Sequence, residues 1–177
     1  MPDQSTSLAK IFDGWGGYHS SILHAVQPLT TEQLAWRPSP KMRSVGELTS
    51  HIAFGRISWF SRMQAPGSLE LVQEIMKFGS EDEFAKDKEK IILWLEKSWQ
   101  LVDDTLGEWT VQNLAGSFDE EYQGKHYRLS YQWTLWRVLA HDLHHGGELA
   151  VMLGMQGIEI PELGELGGHT TIPPLAE

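Results

Sequence analysis

The sequence of 177 residues contains no cysteine. This absence excludes disulfide bonds, thiolate zinc sites, iron–sulfur clusters and cysteine nucleophiles, so a metal ion bound by this chain must take nitrogen and oxygen ligands. The chain also lacks a run of eighteen apolar residues, and its first residues, MPDQSTSLAKIF, lack the basic and apolar segments of a leader peptide. We therefore expect a cytoplasmic protein without a membrane partner.

Positive charge is scarce: 14 basic residues stand against 24 acidic ones, which gives a formal net charge of −10. Because this balance repels a phosphate backbone and the sequence has no Lys/Arg cluster, nucleic acid is not an expected partner. The 41% hydrophobic and 21% charged residues are ordinary for a globular protein, and we assign residues 1–177 to a single domain. The eight tryptophans are spread along the chain, which indicates helix packing and core.

The spacing of apolar residues predicts four long helices and two short helical segments. The long helices are predicted at Ser5–Val26, Ser44–Met63, Ser80–Leu106 and Ser130–Gly157, and the short segments at Thr31–Trp36 and Leu69–Phe78. A serine followed three residues later by a glutamate predicts a capping box, and this pattern occurs at Ser44 and Glu47 and again at Ser80 and Glu83. These two pairs are therefore expected to begin the second and third long helices.

Between residues 107 and 129 the helical spacing is lost, and alternation around Tyr122–Tyr127 favours a loop with a short hairpin. Long connections of this kind are typical of crossovers rather than tight helical hairpins. The sequence therefore predicts an all-α fold, a four-helix bundle with long crossover connections and a short irregular or hairpin segment before the fourth helix. The residues after Gly157, rich in proline and glycine, are expected to lie as a tail over the bundle.

The fourth predicted helix carries the densest group of metal-binding side chains, His141-Asp142-Leu143-His144-His145. Residues four apart lie on the same face of a helix, so His141 and His145 can converge on one ion, whereas His144 points about 100° away from His145. A transition metal held by protein nitrogens usually takes at least three ligands, so a further ligand must come from elsewhere. His51 lies at the edge of the apolar face of the second helix, where a single histidine is more often a buried hydrogen-bonded residue than a ligand, and the presence of the His141/His145 pair makes a ligand role more plausible for it.

Together these features resemble the DinB/YfiT-like superfamily of small four-helix metalloproteins. The segments that carry the resemblance are Trp36-Arg37-Pro38, Arg43-Ser44-Val45-Gly46-Glu47-Leu48, His51-Ile52-Ala53, Trp109-Thr110, and Trp133 followed by His141–Leu149. The resemblance implies that His51, His141 and His145 bind a divalent ion such as nickel, zinc or iron, with water in the remaining positions. Relatives often carry a long polar or basic residue after the second ligand, whereas this chain has Gly146-Gly147, which leaves space beside the ion.

The resemblance also implies an activity. Family members with described activities are metal-dependent thiol S-transferases or isomerases that use a low-molecular-weight thiol, or metal-dependent hydrolases, and many are homodimers. We therefore expect a metal-dependent transferase or hydrolase that acts on a small molecule. A transferase would also use a low-molecular-weight thiol as cosubstrate. The protein is further expected to form a homodimer. Three neutral imidazoles leave the charge of the ion uncompensated, so water or an external thiol can be activated at neutral pH.

Two carboxylates near the predicted ligands are candidates for catalytic support. Glu47 lies one turn before His51, and Glu148 lies three residues after His145, so each could orient an imidazole, act as a fourth ligand or move a proton. The competing role of Glu47 is its capping box, and that of Glu148 is an ion pair at the surface.

Other functions stay open at this point. The pattern His141-Asp142-x-x-His145 resembles the His-Glu-x-x-His motif of zincin metallopeptidases, although aspartate is one methylene shorter than glutamate. A non-catalytic metal-binding or stress-response protein would use the same ligands for a structural or sensing site. The three histidines could also be unrelated and bind no metal. On the first helix, Trp15, Tyr18 and His19 are candidates for a pocket wall.

Overall fold

A computed structural model describes residues 7–77 and 85–164 of the chain. The described part is mostly helical and contains one two-stranded sheet. In chain order the elements are α1 (Leu8–Ile11), α2 (Trp15–Val26), α3 (Thr31–Ala35), α4 (Val45–Arg62), α5 (Ser68–Ile75), α6 (Lys88–Glu108), a 3₁₀ helix (Val111–Ala115), β1 (Ser117–Tyr122), β2 (Lys125–Ser130), α7 (Tyr131–Met155) and α8 (Pro161–Gly164). No helix within these residues combines the length and apolar character that a membrane crossing requires.

The four long helices, α2, α4, α6 and α7, form the predicted bundle. Helix α4 packs against both α6 and α7, and α2 packs against α6. The core between them is apolar, with side chains that include Ile22, Ile52, Ile57, Trp94, Leu95, Leu135 and Leu149. Helices α3 and α5 and the hairpin lie in the connections between the long helices, so the all-α four-helix bundle with long crossover connections is confirmed.

The predicted start of α4 is confirmed. The hydroxyl of Ser44 accepts a hydrogen bond from the backbone N–H of Glu47 at 3.2 Å, and the Glu47 carboxylate accepts one from the backbone N–H of Ser44 at 2.7 Å. This reciprocal arrangement satisfies two N–H groups that a helix start leaves without partners. It fixes the end of the helix that carries His51.

The predicted first helix, Ser5–Val26, is wrong as a single helix. Helix α1 ends at Ile11 and α2 begins at Trp15, because Gly14 takes a left-handed conformation with φ of 95°. That conformation is accessible to glycine at little steric cost and incompatible with a continuous right-handed helix. The Ser5 end of the prediction lies outside the described residues.

The predicted start of the third long helix also needs correction. Residues 85–87 are not helical, and α6 begins at Lys88, where the carboxylate of Asp87 accepts a hydrogen bond from the N–H of Lys90 at 3.2 Å. Asp87 therefore provides the N-cap of this helix. The predicted capping pair Ser80 and Glu83 lies outside the described residues.

The hairpin before the fourth helix is confirmed. Strand β1 pairs with β2 in antiparallel register, with Ser117 opposite Ser130. The two-residue turn at Gln123 and Gly124 has φ angles of 53° and 71°, the combination of a type I′ hairpin. Ser130 ends β2 and caps α7 through a 3.1 Å hydrogen bond from the N–H of Trp133 to its hydroxyl. The sheet thus passes directly into the helix that carries His141 and His145.

Candidate metal centre

Three imidazoles from two helices converge inside the bundle. His51 lies on α4, and His141 and His145 lie one turn apart on α7. Nε2 of His51 is 3.1 Å from Nε2 of His141. The ring centroid of His51 is 4.9 Å from that of His141 and 4.8 Å from that of His145. One nitrogen from each ring lies within 4.8 Å of the other two, so the structure brings together the three histidines that the sequence analysis singled out.

The arrangement fits a divalent transition metal. Two imidazole nitrogens that bind one ion at roughly 2.0–2.1 Å are about 3 Å apart, close to the 3.1 Å that separates Nε2 of His51 from Nε2 of His141. Three imidazoles are also the ligand set of zinc sites that keep a position open for water or substrate. These residues therefore have the donor atoms and the spacing to hold such an ion.

The protein environment favours the neutral form of His51 and of His145. Burial, with the positive charge of Arg43 and the two neighbouring imidazoles, lowers the pKa of His51 to about 4. Burial also lowers the pKa of His145, although its hydrogen bond with Glu148 opposes this shift. Because a metal ion competes with protons for the ring nitrogens, the lowered pKa values favour metal binding at neutral pH.

Glu148 orients the ring of His145. Its Oε2 lies 2.7 Å from Nδ1 of His145, and its Oε1 lies 3.4 Å from Nε2 of the exposed His144. A carboxylate at this distance accepts the proton of Nδ1, which leaves Nε2 of the same ring with a free lone pair. The candidate support residue thus contacts a candidate ligand directly.

Glu47 has structural partners. Besides capping α4, its carboxylate accepts a 2.7 Å hydrogen bond from Nη1 of Arg37 and is ion-paired with that guanidinium. Nη1 of Arg37 also donates to the backbone carbonyl of Met42 at 2.9 Å. The capping role that competed with the catalytic one is therefore present, and the Arg37–Glu47 pair fastens the loop of residues 37–43 to the start of α4.

Gly55 determines where the ring of His141 can lie, and the sequence analysis missed it. A Cβ atom at Gly55 would be 2.6 Å from Cε1 and 3.1 Å from Nε2 of His141, closer than real side-chain contacts allow. The missing side chain therefore lets the imidazole rest against α4. A signal existed in the sequence, since Gly55 follows His51 by one helical turn on the same face.

Asp142 belongs to a buried polar network that joins all four long helices. Its Oδ2 accepts hydrogen bonds from Nε of Arg56 on α4 and from Nε1 of Trp15 on α2, both at 2.8 Å. Nη1 of Arg56 lies 3.2 Å from Nδ1 of His19 on α2 and 3.4 Å from the hydroxyl of Ser98 on α6. Burial alone would raise the pKa of Asp142, but the Arg56 guanidinium and these hydrogen bonds hold it below its ordinary value.

The same network corrects two earlier interpretations. In a zincin the residue after the first histidine is a general base that faces the reacting water, whereas Asp142 is 0% exposed and bound by Arg56 and Trp15. Its position therefore does not fit a metallopeptidase. Trp15 and His19 lie in this buried network and do not line the cleft described below.

Asp142 also faces the ring of His141. Oδ1 of Asp142 lies 3.8 Å from Nδ1 of His141, and both atoms are buried without a hydrogen-bond partner among the described residues. A shift of less than about 1 Å would bring them to hydrogen-bond distance. A proton fixed on Nδ1 in this way leaves Nε2, the atom that faces His51, free to bind a metal.

The two glycines after His145 play different parts. A Cβ atom at Gly146 would lie 2.2 Å from the hydroxyl of Tyr18, which donates to the carbonyl of Leu143 at 3.3 Å. Burial raises the pKa of Tyr18 to about 12, so this hydroxyl stays protonated. A Cβ atom at Gly147 would meet nothing within 4 Å. The expected space beside the site is therefore at Gly147, while Tyr18 fills the space at Gly146.

A cleft of about 940 Å³ borders the histidines on the side of Gly147. Its walls are formed by Pro38, Lys41, Met42, Arg43, Leu48, His144, Gly147, Glu148, Val151, Met152 and Met155. The rings of His51, His141 and His145 are not among these walls. Leu48 lies three residues before His51, and Glu148, three residues after His145, contacts that ring at 2.7 Å, so the cleft lies beside the histidines.

Comparisons with known proteins agree with this architecture. The family model of the DinB superfamily matches residues 19–149, a stretch that contains the three histidines, Arg56 and Asp142. Among solved structures, the chain is similar to a crystal structure of a DinB-like protein from Bacillus cereus ATCC 10987, with a TM-score of 0.67 and 18% sequence identity. That match covers 88% of this chain and 97% of the other chain, and at this identity it concerns the fold alone. No curated protein sequence matches the chain.

Proposed function

The chain belongs to the DinB superfamily, and from that premise we propose that it is a divalent-metal-dependent enzyme. Its metal ligands are His51, His141 and His145. The observation that carries this proposal is the convergence of these rings from α4 and α7, with two Nε2 atoms 3.1 Å apart, beside a cleft of about 940 Å³. Three imidazoles held together at this spacing, two of them buried and that of His51 half-buried, favour a bound ion over three unrelated histidines.

The three imidazole donors limit which metal ions the site can bind. Three imidazole nitrogens without a thiolate suit zinc, nickel or iron, and the chain has no cysteine to supply a sulfur ligand. When bound, the ion supplies Lewis acidity, which activates water or a thiol at neutral pH. The contact with Glu148 favours the tautomer of His145 that presents Nε2. Asp142 would do the same for His141 once the 3.8 Å gap between Oδ1 and Nδ1 closes to hydrogen-bond distance.

The reaction is attack by the sulfur of a low-molecular-weight thiol on the electrophilic carbon of a small molecule, in which the S–H bond breaks, a C–S bond forms and the proton passes to a base, or it is hydrolysis of a small molecule by water. The thiol comes from solution, because the protein has no cysteine of its own. Glu148 lines the cleft and contacts His145, so its carboxylate can accept the proton that a thiol or water gives up there. Asp142 has no part in this step because it is fully buried.

Elemental analysis of protein purified without a histidine tag tests the metal centre. The expected result is close to one transition metal ion per chain, lost in His141→Ala and retained in His126→Ala. The control histidine is exposed on the hairpin, away from the three ligands. Wild-type protein that contains no metal, or a His141→Ala protein that keeps it, contradicts the proposal.

The metal-loaded protein then tests the activity. Titration with bacillithiol, mycothiol or glutathione is expected to change the absorption spectrum of the cobalt-loaded protein if a thiol enters the site, and a screen with electrophilic substrates should detect turnover. A different outcome is a protein that binds metal and yet shows neither a spectral change with thiols nor turnover of any thiol-dependent or hydrolytic substrate. That result would instead assign it to the non-catalytic metal-binding or stress-response class. Degradation of casein would revive the metallopeptidase alternative.

A further inference from the structure

We propose that the cleft beside the three histidines binds a small organic anion with an apolar chain, and that Lys41 and Arg43 hold its anionic group. This inference rests on the proposed function, because it names the class of substrate that would reach the histidines. Three features of the cleft carry it: its charge, the rigidity of the loop that bears the cations, and its apolar wall.

The cleft is positively charged although the protein is acidic. Its walls contain Lys41 and Arg43 but a single carboxylate, that of Glu148, which is bound to His145 at 2.7 Å. The ion pairs found among the described residues use other cations, namely Arg37, Arg56, Arg62, Lys90, Lys97, Arg128 and histidines. Lys41 and Arg43 are in none of these ion pairs, so their charges can act on a ligand. In a chain with a net charge of −10, two such cations in one cleft favour the binding of an anion there.

The loop that carries the two cations is held in place from both ends. Arg37 donates to the carbonyl of Met42 at 2.9 Å and is ion-paired with Glu47 at the start of α4. Within the loop, the N–H of Met42 donates to the carbonyl of Ser39 at 3.1 Å. Because the backbone is fixed before a ligand arrives, less conformational entropy is lost on binding than in a free loop.

The remaining wall of the cleft is apolar and adaptable. It is formed by Pro38, Met42, Leu48, Val151, Met152 and Met155. Three of the six methionines of the chain are in this set, and their flexible thioethers fit apolar groups of varied shape. Val151 is 64% exposed and Met155 61%, so an apolar chain laid along α7 would remove their side chains from water. The volume of about 940 Å³ lies within the range of small-molecule sites.

The positions of the walls also orient the ligand. Arg43 is close enough to His51 for its charge to act on that ring. Glu148 lines the cleft and lies 2.7 Å from Nδ1 of His145. An anion bound between Lys41 and Arg43 therefore has its apolar chain along α7, next to the side of the cleft where the three histidines lie.

Calorimetric titration with three probes that share a decyl chain tests this inference. The probes are decanoate, 1-decanol and decyltrimethylammonium, all used below their aggregation limits. Decanoate is expected to bind at least about tenfold more tightly than the other two, a difference of about 1.4 kcal/mol. The double variant Lys41→Glu/Arg43→Glu should lose at least tenfold in decanoate affinity. The control Lys10→Glu/Lys125→Glu makes the same change in net charge at exposed positions outside the cleft and should bind as the wild type does.

Equal affinity for the three probes, or unchanged decanoate binding in Lys41→Glu/Arg43→Glu, overturns the inference. Decanoate binding that disappears on treatment with EDTA and is indifferent to the double variant also overturns it, because the metal would then be the anion site. Elemental analysis of the same samples separates the two proposals. Decanoate binding by a protein that contains no metal supports the anion site in the cleft and contradicts the proposed metal-dependent function. A protein that contains metal but shows no preference for decanoate supports the metal centre and contradicts the anion site.

Discussion

At the scale of single residues, the position of His141 depends on the side chain that Gly55 lacks. Replacement by alanine would put a Cβ atom 2.6 Å from Cε1 of the ring, so the ring must move away from α4 and from His51. We expect Gly55→Ala to weaken metal affinity by about 10- to 100-fold, as other changes around metal ligands do. Competition with a chelator of known affinity measures the effect.

The matched control for that substitution is Gly107→Ala in α6. A Cβ atom there meets nothing within 4 Å, and alanine has the higher helix propensity, so metal affinity should stay at its wild-type value. Equal metal affinity in Gly55→Ala and Gly107→Ala would contradict this prediction, because it would show that metal binding does not depend on the position of the His141 ring against Gly55.

Single residues also show what the sequence could reveal. The pairing of His141 and His145 could be predicted from the sequence, because residues four apart lie on the same face of a helix. The family resemblance then added His51 to this pair. The contact between Arg56 and Asp142 could not be predicted from the sequence, because the two residues are 86 positions apart and no local pattern indicates that they interact. Asp142 instead suggested a zincin base, because sequence spacing does not show whether a side chain is buried.

At the scale of the secondary-structure elements, the buried network ties α2, α4, α6 and α7 together through Arg56. We expect Asp142→Asn to lower the free energy of unfolding by about 3–5 kcal/mol, because the fully buried guanidinium loses its counter-charge. Urea unfolding at neutral pH measures this change. Asp103→Asn, an exposed position of α6, is the control and should stay within about 0.5 kcal/mol of wild type.

A small effect of Asp142→Asn, similar to that of Asp103→Asn, would mean that the network contributes little to helix association. The same variant should also weaken metal binding, because an amide at this position can present its N–H₂ group to Nδ1 of His141 in place of an oxygen. Metal affinity and stability are thus expected to fall together in this variant, whereas Gly55→Ala affects mainly the former.

The element boundaries were predictable where a local signal defines them. Ser44 with Glu47 began α4 as expected, and the two-residue turn at Gln123 and Gly124 closed the hairpin. The break at Gly14 was not predicted, because the apolar spacing continues across it and the glycines at 14, 16 and 17 were expected to weaken a single helix rather than to end it. The bend depends on the backbone conformation at that residue, which composition does not reveal.

At the scale of the whole molecule, buried histidines link stability to pH. Burial and the charge of Arg56 lower the pKa of His19 to about 3 in the folded state, against an ordinary value of 6.5. Below pH 6.5 the unfolded chain therefore binds a proton that the folded chain does not, and stability falls as the pH decreases from 6.5 towards 3. The lowered pKa values of His51 and His145 act in the same direction.

Urea unfolding of EDTA-treated protein at pH 7, 6 and 5 tests this linkage. Below pH 6.5 we expect His19 alone to contribute a loss of about 1 kcal/mol per pH unit. His19→Asn, which keeps an acceptor near Arg56, should reduce the slope, and His126→Asn at an exposed position of the hairpin should not. The same slope in His19→Asn and wild type would contradict the assignment.

The surface of α7 bears on assembly, and we propose that the protein is a homodimer that packs through this helix. Trp136 is 63% exposed and Leu143 42%. Of the three Arg, Asp or Glu residues of this helix, Asp142 is buried, Glu148 is half-buried and Arg137 is exposed. Large uncharged exposed faces are typical of interaction surfaces. We expect light scattering to give twice the chain mass, and Trp136→Glu/Leu143→Glu to give a monomer.

Leu93→Glu is the control for the dimer, since this leucine is 46% exposed on α6 and lies on another helix. It should leave the mass of the assembly unchanged. A wild-type protein that scatters as a single chain at micromolar concentration contradicts the dimer and has no bearing on the three histidines, which come from one chain.

The proposed metal ligands lie far apart in the chain: His51 precedes His141 by 90 positions. During synthesis, therefore, the first of these side chains emerges long before its companions, and a complete coordination sphere can form only after the last long segment has docked. Removal of the ion by a chelator should consequently speed amide hydrogen exchange first along the seam between residues 45–62 and 131–155. The hairpin of residues 117–130 should exchange at its original rate.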